Sequence, residues 1–136
     1  MKQLIVILAV ALSSVACAST PEKVQQSRQS LSSYALAQCL HEAYPQEPRF
    51  TADAKQAAGA WHFMGRGQHR IVQDEQTLDV LHDPYAAVSE YILKRSVREP
   101  AVMKRGAENS FASCLQILWS SNFEALVREQ DRYIGD

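Results

Sequence analysis

The sequence predicts an all-α protein, organised as a single compact domain of five or six short helices around one core and closed by one disulfide. Three observations support this fold class. Apolar residues recur at three- and four-residue steps through most of residues 30–136. Helix caps, prolines and glycines separate these stretches. No stretch shows the sustained two-residue alternation, with turns at hairpin spacing, that is typical of strands.

The first two predicted helices are separated by prolines. Pro45 and Pro48 end the first helix, because proline is not tolerated in a helix interior. Thr51 is expected to cap a second, alanine-rich helix that continues to Trp61 and stops at Gly65. The buried stripe of the first helix is expected to consist of Leu31, Tyr34, Ala35, Cys39 and Leu40.

The middle of the chain carries a weak helical pattern followed by a clear one. Ile71, Leu78 and Leu81 have helical spacing and predict a third helix. Asp83 followed by Pro84 is typical of an N-cap with proline at the first helical position. The helix that they start is expected to bury Tyr85, Val88 and Ile92.

The C-terminal part of the chain has the most regular pattern. Ser121 and Glu124 have the spacing of a capping box, which starts a last helix that runs towards Ile134. The helix before it is expected to bury Phe111, Cys114, Leu115 and Leu118. Three aromatic residues are interpreted as parts of the core and not as ligand contacts: Trp61, Tyr85 and Trp119.

The N-terminus has the features of a secretory signal. Lys2 precedes an apolar run over residues 4–12, and residues 16–18 form a small-residue A-x-A cleavage site. The run is shorter than the roughly 20 residues that span a bilayer. The destination is expected to be the periplasm. The predicted organisation is a signal peptide at 1–18, a flexible leader at 19–29 and a helical domain at 30–136.

Cys17 permits a second interpretation of this signal. A cysteine after small residues at the end of an apolar run is also typical of an acylated lipoprotein, which would anchor the protein in the envelope. Ser14 disfavours this alternative, because such signals usually carry an aliphatic residue there. Without lipidation, no membrane association is expected.

Two cysteines remain after the predicted signal, Cys39 and Cys114. A disulfide between them is the natural pairing in an oxidising compartment, and two separate buried thiols are the alternative. Both cysteines lie on apolar helical faces without the basic neighbours that lower a thiol pKa, so a catalytic cysteine is disfavoured.

The charge distribution disfavours nucleic acid as a ligand. The formal net charge is −1, and cleavage of the predicted signal peptide would remove one basic residue, Lys2. An acidic segment at 71–93 precedes a basic segment at 94–105. This pattern indicates either solvated helix faces with paired charges or an acidic surface that meets a protein partner.

Enzymatic and metal-binding motifs are missing from the sequence. It contains no G-x-S-x-G, no glycine-rich phosphate loop and no H-E-x-x-H. Asp74 and Glu75 would point to different sides of a helix, so they are poorly placed to act together as general acid and general base. We therefore expect no enzyme activity, no cofactor and no metal. The alternative is a small periplasmic metal- or ligand-binding protein that uses His62, Met64 and His69.

Two stretches resemble the type VI secretion amidase immunity proteins. The first is Tyr-Ala-Leu-Ala-Gln-Cys-Leu at 34–40, followed by the alanine-rich stretch 52–60. The second covers 114–127: a cysteine, an apolar helix, a serine-led break, and then leucine and valine on a last helix. Trp119 departs from the tyrosine expected there, and residues 65–83 match no motif of the family.

The resemblance implies a periplasmic, all-helical antitoxin that binds an injected peptidoglycan amidase and covers its active-site groove, commonly as a homodimer. Because the middle of the chain matches no family motif, a partner surface has to be inferred from its own residues. The segment 65–69 is irregular and rich in glycine, and acidic residues that would steer a basic groove follow it. The alternative is an ordinary helix connection beside a solvated face. The predicted partner-binding residues are Gly65, Arg66, Gly67, Gln68, His69, Asp74, Glu75 and Asp79.

Overall fold

The computed structural model describes residues 20–135. The predicted signal and Cys17 lie outside these residues. None of the helices in the described part combines the length and apolarity needed to cross a bilayer. Within residues 20–135, five α-helices, one two-stranded sheet and a final 3₁₀ helix follow in chain order: α1 Pro21–Ala43, α2 Pro48–Trp61, β1 Val72–Gln73, β2 Val80–His82, α3 Pro84–Arg98, α4 Ser110–Leu118, α5 Ser121–Glu129 and the 3₁₀ helix Gln130–Tyr133.

Helix α1 begins well before the position expected from the sequence. Thr20 caps it by accepting a hydrogen bond from the backbone N–H of Lys23, and Pro21 occupies the first turn. Most of the segment predicted as a flexible leader is therefore helical. Long-range contacts hold these first turns: Ser27 is fully buried, and Arg28 donates from Nε to Asp131 Oδ1 at 2.9 Å.

The core is built around α1, with α3, α4 and α5 packed against it. Cys39 and Cys114 are bonded, as predicted, and their disulfide joins α1 to α4. Both cysteines are buried. The buried stripes of α1 and α3 contain most of the residues that their spacing predicts, whereas Tyr34 and Leu40 are only partly buried. The central cluster consists of Leu31, Ala35, Cys39, Tyr85, Val88, Ile92, Cys114, Ile117, Phe123 and Val127.

The aromatic residues expected in the core have different environments. Tyr85 is completely buried and Trp61 is partly buried. Trp119 is 75% exposed, so its assignment to the core is wrong. It follows the last residue of α4, beyond the stripe formed by Cys114 and Ile117.

Three helix starts test the cap predictions. Asp83 caps α3 as expected, since its Oδ1 accepts from the N–H of Tyr85 at 2.8 Å. Helix α5 is capped by Ser120, one residue before the predicted cap. Helix α2 starts at Pro48, whose fixed φ suits a first turn. Thr51, the predicted cap, lies inside this helix, and its hydroxyl donates to the Tyr44 carbonyl.

The expectation of a purely helical fold is wrong between α2 and α3. Strands β1 and β2 form an antiparallel hairpin in which Val72 pairs with His82. The turn forms because Asp74 Oδ1 accepts from the backbone N–H groups of Gln76 and Thr77, at 2.9 and 2.8 Å. These hydrogen bonds satisfy backbone N–H groups within the turn. They stabilise the turn in place of the third helix that the sequence predicts.

Candidate partner-binding site

The segment 67–71 connects α2 to the hairpin and is fixed by the C-terminal end of the chain. His69 forms an antiparallel bridge with Ile134. Arg70 N–H donates to the Tyr133 carbonyl at 2.7 Å, and Gly135 N–H donates to the Gln68 carbonyl at 2.8 Å. The base of the hairpin is therefore held by backbone hydrogen bonds to residues far away in sequence.

Gly65 and Gly67 are explained by packing within the chain. A Cβ at Gly65 would lie 2.5 Å from the Ala60 carbonyl oxygen, closer than real side chains approach. A Cβ at Gly67 would lie 2.5 Å from the Trp61 carbonyl oxygen and would overlap the Tyr85 hydroxyl. Both glycines thus permit a tight turn against α2 and α3, so close approach of another protein is not needed to explain them.

Gly67→Ala is expected to lower the free energy of unfolding by about 1 to 3 kcal/mol, because the backbone must shift to admit the methyl group. Gly59→Ala is a matched control inside α2, where a Cβ meets nothing within 4 Å. That change should raise the free energy of unfolding by about 0.5 to 1 kcal/mol. Urea denaturation of the two variants measures both effects, and equal stabilities would contradict this explanation.

His69 lies in the interior. It is 1% exposed, its ring packs edge-on to that of Tyr85, and its carbonyl accepts a hydrogen bond from the Tyr85 hydroxyl at 3.2 Å. Neither ring nitrogen has a hydrogen-bond partner within residues 20–135. Burial lowers the pKa of His69 to about 4, although the Asp131 carboxylate opposes the shift. The ring is therefore neutral at pH 7 and is not available as the surface anchor that the sequence analysis expected.

Two side chains remain to be placed in the segment 65–69. Gln68 is half-buried, and its Oε1 accepts from the Ser27 hydroxyl at 3.0 Å. The Arg66 guanidinium is exposed and lies over the Trp61 ring, 5.6 Å from its centroid. Of the segment's longer side chains, only Arg66 is thus freely presented to solvent.

The three predicted acidic residues lie together on the turn of the hairpin. Asp74 holds the turn, and the backbone hydrogen bonds from Thr77 and then Gln76 lower its pKa. Glu75 and Asp79 are exposed, and Asp79 Oδ2 accepts from the Thr77 hydroxyl at 2.8 Å. The structure therefore places these acids on a protruding turn and not on a helix face.

Apolar side chains accompany these acids. Leu78 is 68% exposed and has a φ of +60°, a conformation that branched or bulky residues rarely adopt. Val80 and Leu81 are also exposed. We call residues 74–81 the hairpin tip. Sequence reasoning missed its apolar part, because it assigned Leu78 and Leu81 to the buried stripe of a helix.

Exposed apolar side chains rimmed by polar ones often mark a surface that meets a protein. In the hairpin tip, exposed apolar and acidic side chains lie on a turn whose base is fixed by the C-terminal end of the chain. Aspartate is common in turns, and the sequence places Asp74 and Asp79 five residues apart. These two residues are the sequence signal that favours a hairpin here.

The structure does not favour the metal site proposed as an alternative. The His62 ring packs against those of Tyr34 and Tyr85, and burial lowers its pKa. Met64 is exposed whereas His69 is buried, so the two side chains have different environments. Over residues 20–135, no three His, Cys, Asp or Glu side chains come together as metal ligands.

Comparison with known proteins identifies a protein family that the chain resembles. Residues 29–127 match the family model of Tai4, described as a type VI secretion system (T6SS) amidase immunity protein. No curated protein matches the chain significantly. No solved structure does so either. The matched residues include the disulfide, the hairpin tip and most of α5.

Proposed function

The chain belongs to the Tai4 family of type VI secretion amidase immunity proteins, and from this premise we propose that it binds and inhibits a peptidoglycan amidase in the periplasm. The observation that carries the proposal is the family match over residues 29–127. An immunity protein acts by binding, so the chemistry belongs to the amidase and this chain has no catalytic role. The predicted signal peptide supports delivery to the compartment that contains peptidoglycan.

We assign the amidase contact to the hairpin tip. Its base is held by the backbone hydrogen bonds of Gln68 and Arg70 to the C-terminal segment. A loop that is already ordered loses little conformational entropy when it binds. Leu78 is the most exposed apolar side chain of the hairpin tip and provides an anchor, whereas Glu75 and Asp79 provide charges that steer association with a basic groove.

Leu78→Gly tests the anchor with little risk to the fold, because glycine accepts the positive φ at this position. We expect the affinity for the amidase to fall about tenfold or more, which is about 1.4 kcal/mol. Val97→Ala is the control, since Val97 is exposed on α3 and lies outside the tip. Calorimetric titration of each variant with the amidase measures the change.

Glu75→Gln combined with Asp79→Asn tests the steering charges. Asp74 is retained because it holds the turn. The double variant should lower the association rate and its salt dependence and leave the dissociation rate nearly unchanged. If both this variant and Leu78→Gly bind with unaltered affinity and kinetics while circular dichroism shows an intact fold, the amidase contact lies elsewhere.

The inhibitory function itself is tested with peptidoglycan. The purified protein should stop the amidase from releasing peptides, and the protein alone should release none. Full amidase activity in the presence of excess protein would contradict the proposal. The mass of the mature N-terminus distinguishes cleavage after Ala18 from lipidation at Cys17.

A homodimer is a further part of the proposal. A groove of about 400 Å³ between α1 and α2 has a mainly apolar lining that includes Leu40, Phe50 and Trp61. A second copy would cover this surface. Ala57→Arg places a long charged side chain in the groove and should give a monomer by light scattering, whereas Ala52→Arg, on an exposed part of α2, should leave a dimer. Identical masses for the two variants would contradict this interface.

A further inference from the structure

A groove of about 770 Å³ lies beside the hairpin and shares Val80 with the hairpin tip. Its wall combines the first turn of α1, the segment 67–71, the cross-strand pair of Gln73 and Val80, and Gly135. This volume falls within the range of small-molecule and peptide pockets. Because the same backbone hydrogen bonds fix the segment and the C-terminal end, much of the groove is formed in advance of binding.

Three polar side chains of the groove can donate hydrogen bonds to a ligand. Lys23 and Arg70 line it, and neither has an ion-pair partner within residues 20–135. Gln68 also lines it, and its side-chain amide, which contacts the Ser27 hydroxyl, carries N–H groups that can donate to a ligand. No Asp or Glu of the described chain contributes to the wall. This donor set suits an anion with several acceptor lone pairs.

The remaining wall is apolar and exposed. Phe63 and Val80 each keep a large part of their surface in solvent, and Ile71 extends the same wall. A small inorganic anion would leave these side chains uncovered. A carboxylate carried on an aliphatic residue would satisfy the cations and cover the apolar wall together.

We propose that this groove binds the C-terminal carboxylate of a short peptide whose last residue has an aliphatic side chain. Arg70 and Lys23 hold the carboxylate, Gln68 donates to it or to the adjacent peptide group, and the apolar wall receives the side chain. Hydrolysis of a peptide amide adds water across the C–N bond and gives a carboxylate and an amine. The amidase reaction therefore produces a carboxylate that these cations could hold, a connection that rests on the proposed function.

The test uses N-acetyl-alanyl-leucine as the free acid and as the C-terminal amide, each titrated into the full mature chain at pH 7 and followed by NMR. The free acid should bind at least about tenfold more tightly than the amide and should shift the backbone signals of residues 67–71. Lys23→Gln with Arg70→Gln should remove this preference. Lys55→Gln with Arg98→Gln, which changes exposed cations outside the groove, should retain it.

Equal binding of acid and amide, absence of binding by both, or a preference that survives Lys23→Gln with Arg70→Gln would overturn the proposal. Acetate that binds as tightly as the peptide acid would also overturn it, because the apolar wall would then contribute nothing. The titration contains no amidase. A negative result therefore leaves the inhibitory function to be judged by the peptidoglycan experiment.

Discussion

Replacing Cys39 and Cys114 together by alanine is expected to lower the free energy of unfolding by about 4 to 5 kcal/mol. The bridge closes a loop with a sequence separation of 75 residues, which restricts the unfolded chain strongly. Both cysteines are buried between α1 and α4, so their loss also removes apolar contacts from the central cluster. Alanine is preferred to serine because a buried hydroxyl would add an unsatisfied polar group.

Urea denaturation of the double variant measures this cost. The wild-type chain unfolded in the presence of a reductant is the matched control and should lose most of the same stability, because it keeps the sulfur atoms and lacks only the bond. Labelling of two reactive thiols in the native wild-type protein, or a loss below about 1 kcal/mol, would contradict the structural role of the bridge.

The stability of the protein is expected to fall by about 3 kcal/mol between pH 7 and pH 4 through His69 alone. Burial lowers the pKa of His69 to about 4 in the folded chain, whereas an unfolded histidine titrates near its usual pKa of 6.5. The unfolded chain therefore takes up the proton first. Stability from this group is complete above pH 6.5 and is lost as the pH falls towards 4.

Two substitutions separate the titration of His69 from its packing. His69→Phe removes both unpartnered ring nitrogens and keeps a ring beside Tyr85, so it should flatten the pH dependence and stabilise the protein at pH 5. His69→Gln should flatten the pH dependence equally but destabilise the protein at pH 7, because it keeps buried polar atoms. Urea denaturation at several pH values measures both effects. If stability depended on pH as steeply in the two variants as in the wild type, His69 would not be the titrating group.

The sequence predicts the helices well where local and tertiary signals agree. Asp83 and Pro84 start α3 as expected, and the cysteines on apolar faces are bonded. Residues 71–82 form a hairpin despite the helical spacing of Leu78 and Leu81, because strands of two and three residues are too short to show alternation. The turn depends on the side chain of Asp74, a local interaction that apolar spacing does not report.

Contacts between distant residues explain the other differences. The early start of α1 depends on the pairing of Arg28 with Asp131 and of Ser27 with Gln68, and these partners are not adjacent in the sequence. The acidic part of the candidate site was identified from charge alone. The burial of His69 and the exposure of Leu78 could not be predicted from the sequence. Both follow from how the segment 67–71 packs against the C-terminal residues.

The bridge between His69 and Ile134 has a consequence for the order in which the molecule is assembled. A chain that emerges N-terminus first delivers α1 and α2 early, but residues 133–135, which bond to the base of the hairpin, arrive at the end. Closing such a long loop is slow compared with forming local helices. The surface that we assign to toxin recognition is therefore expected to mature last, once the C-terminal end has docked.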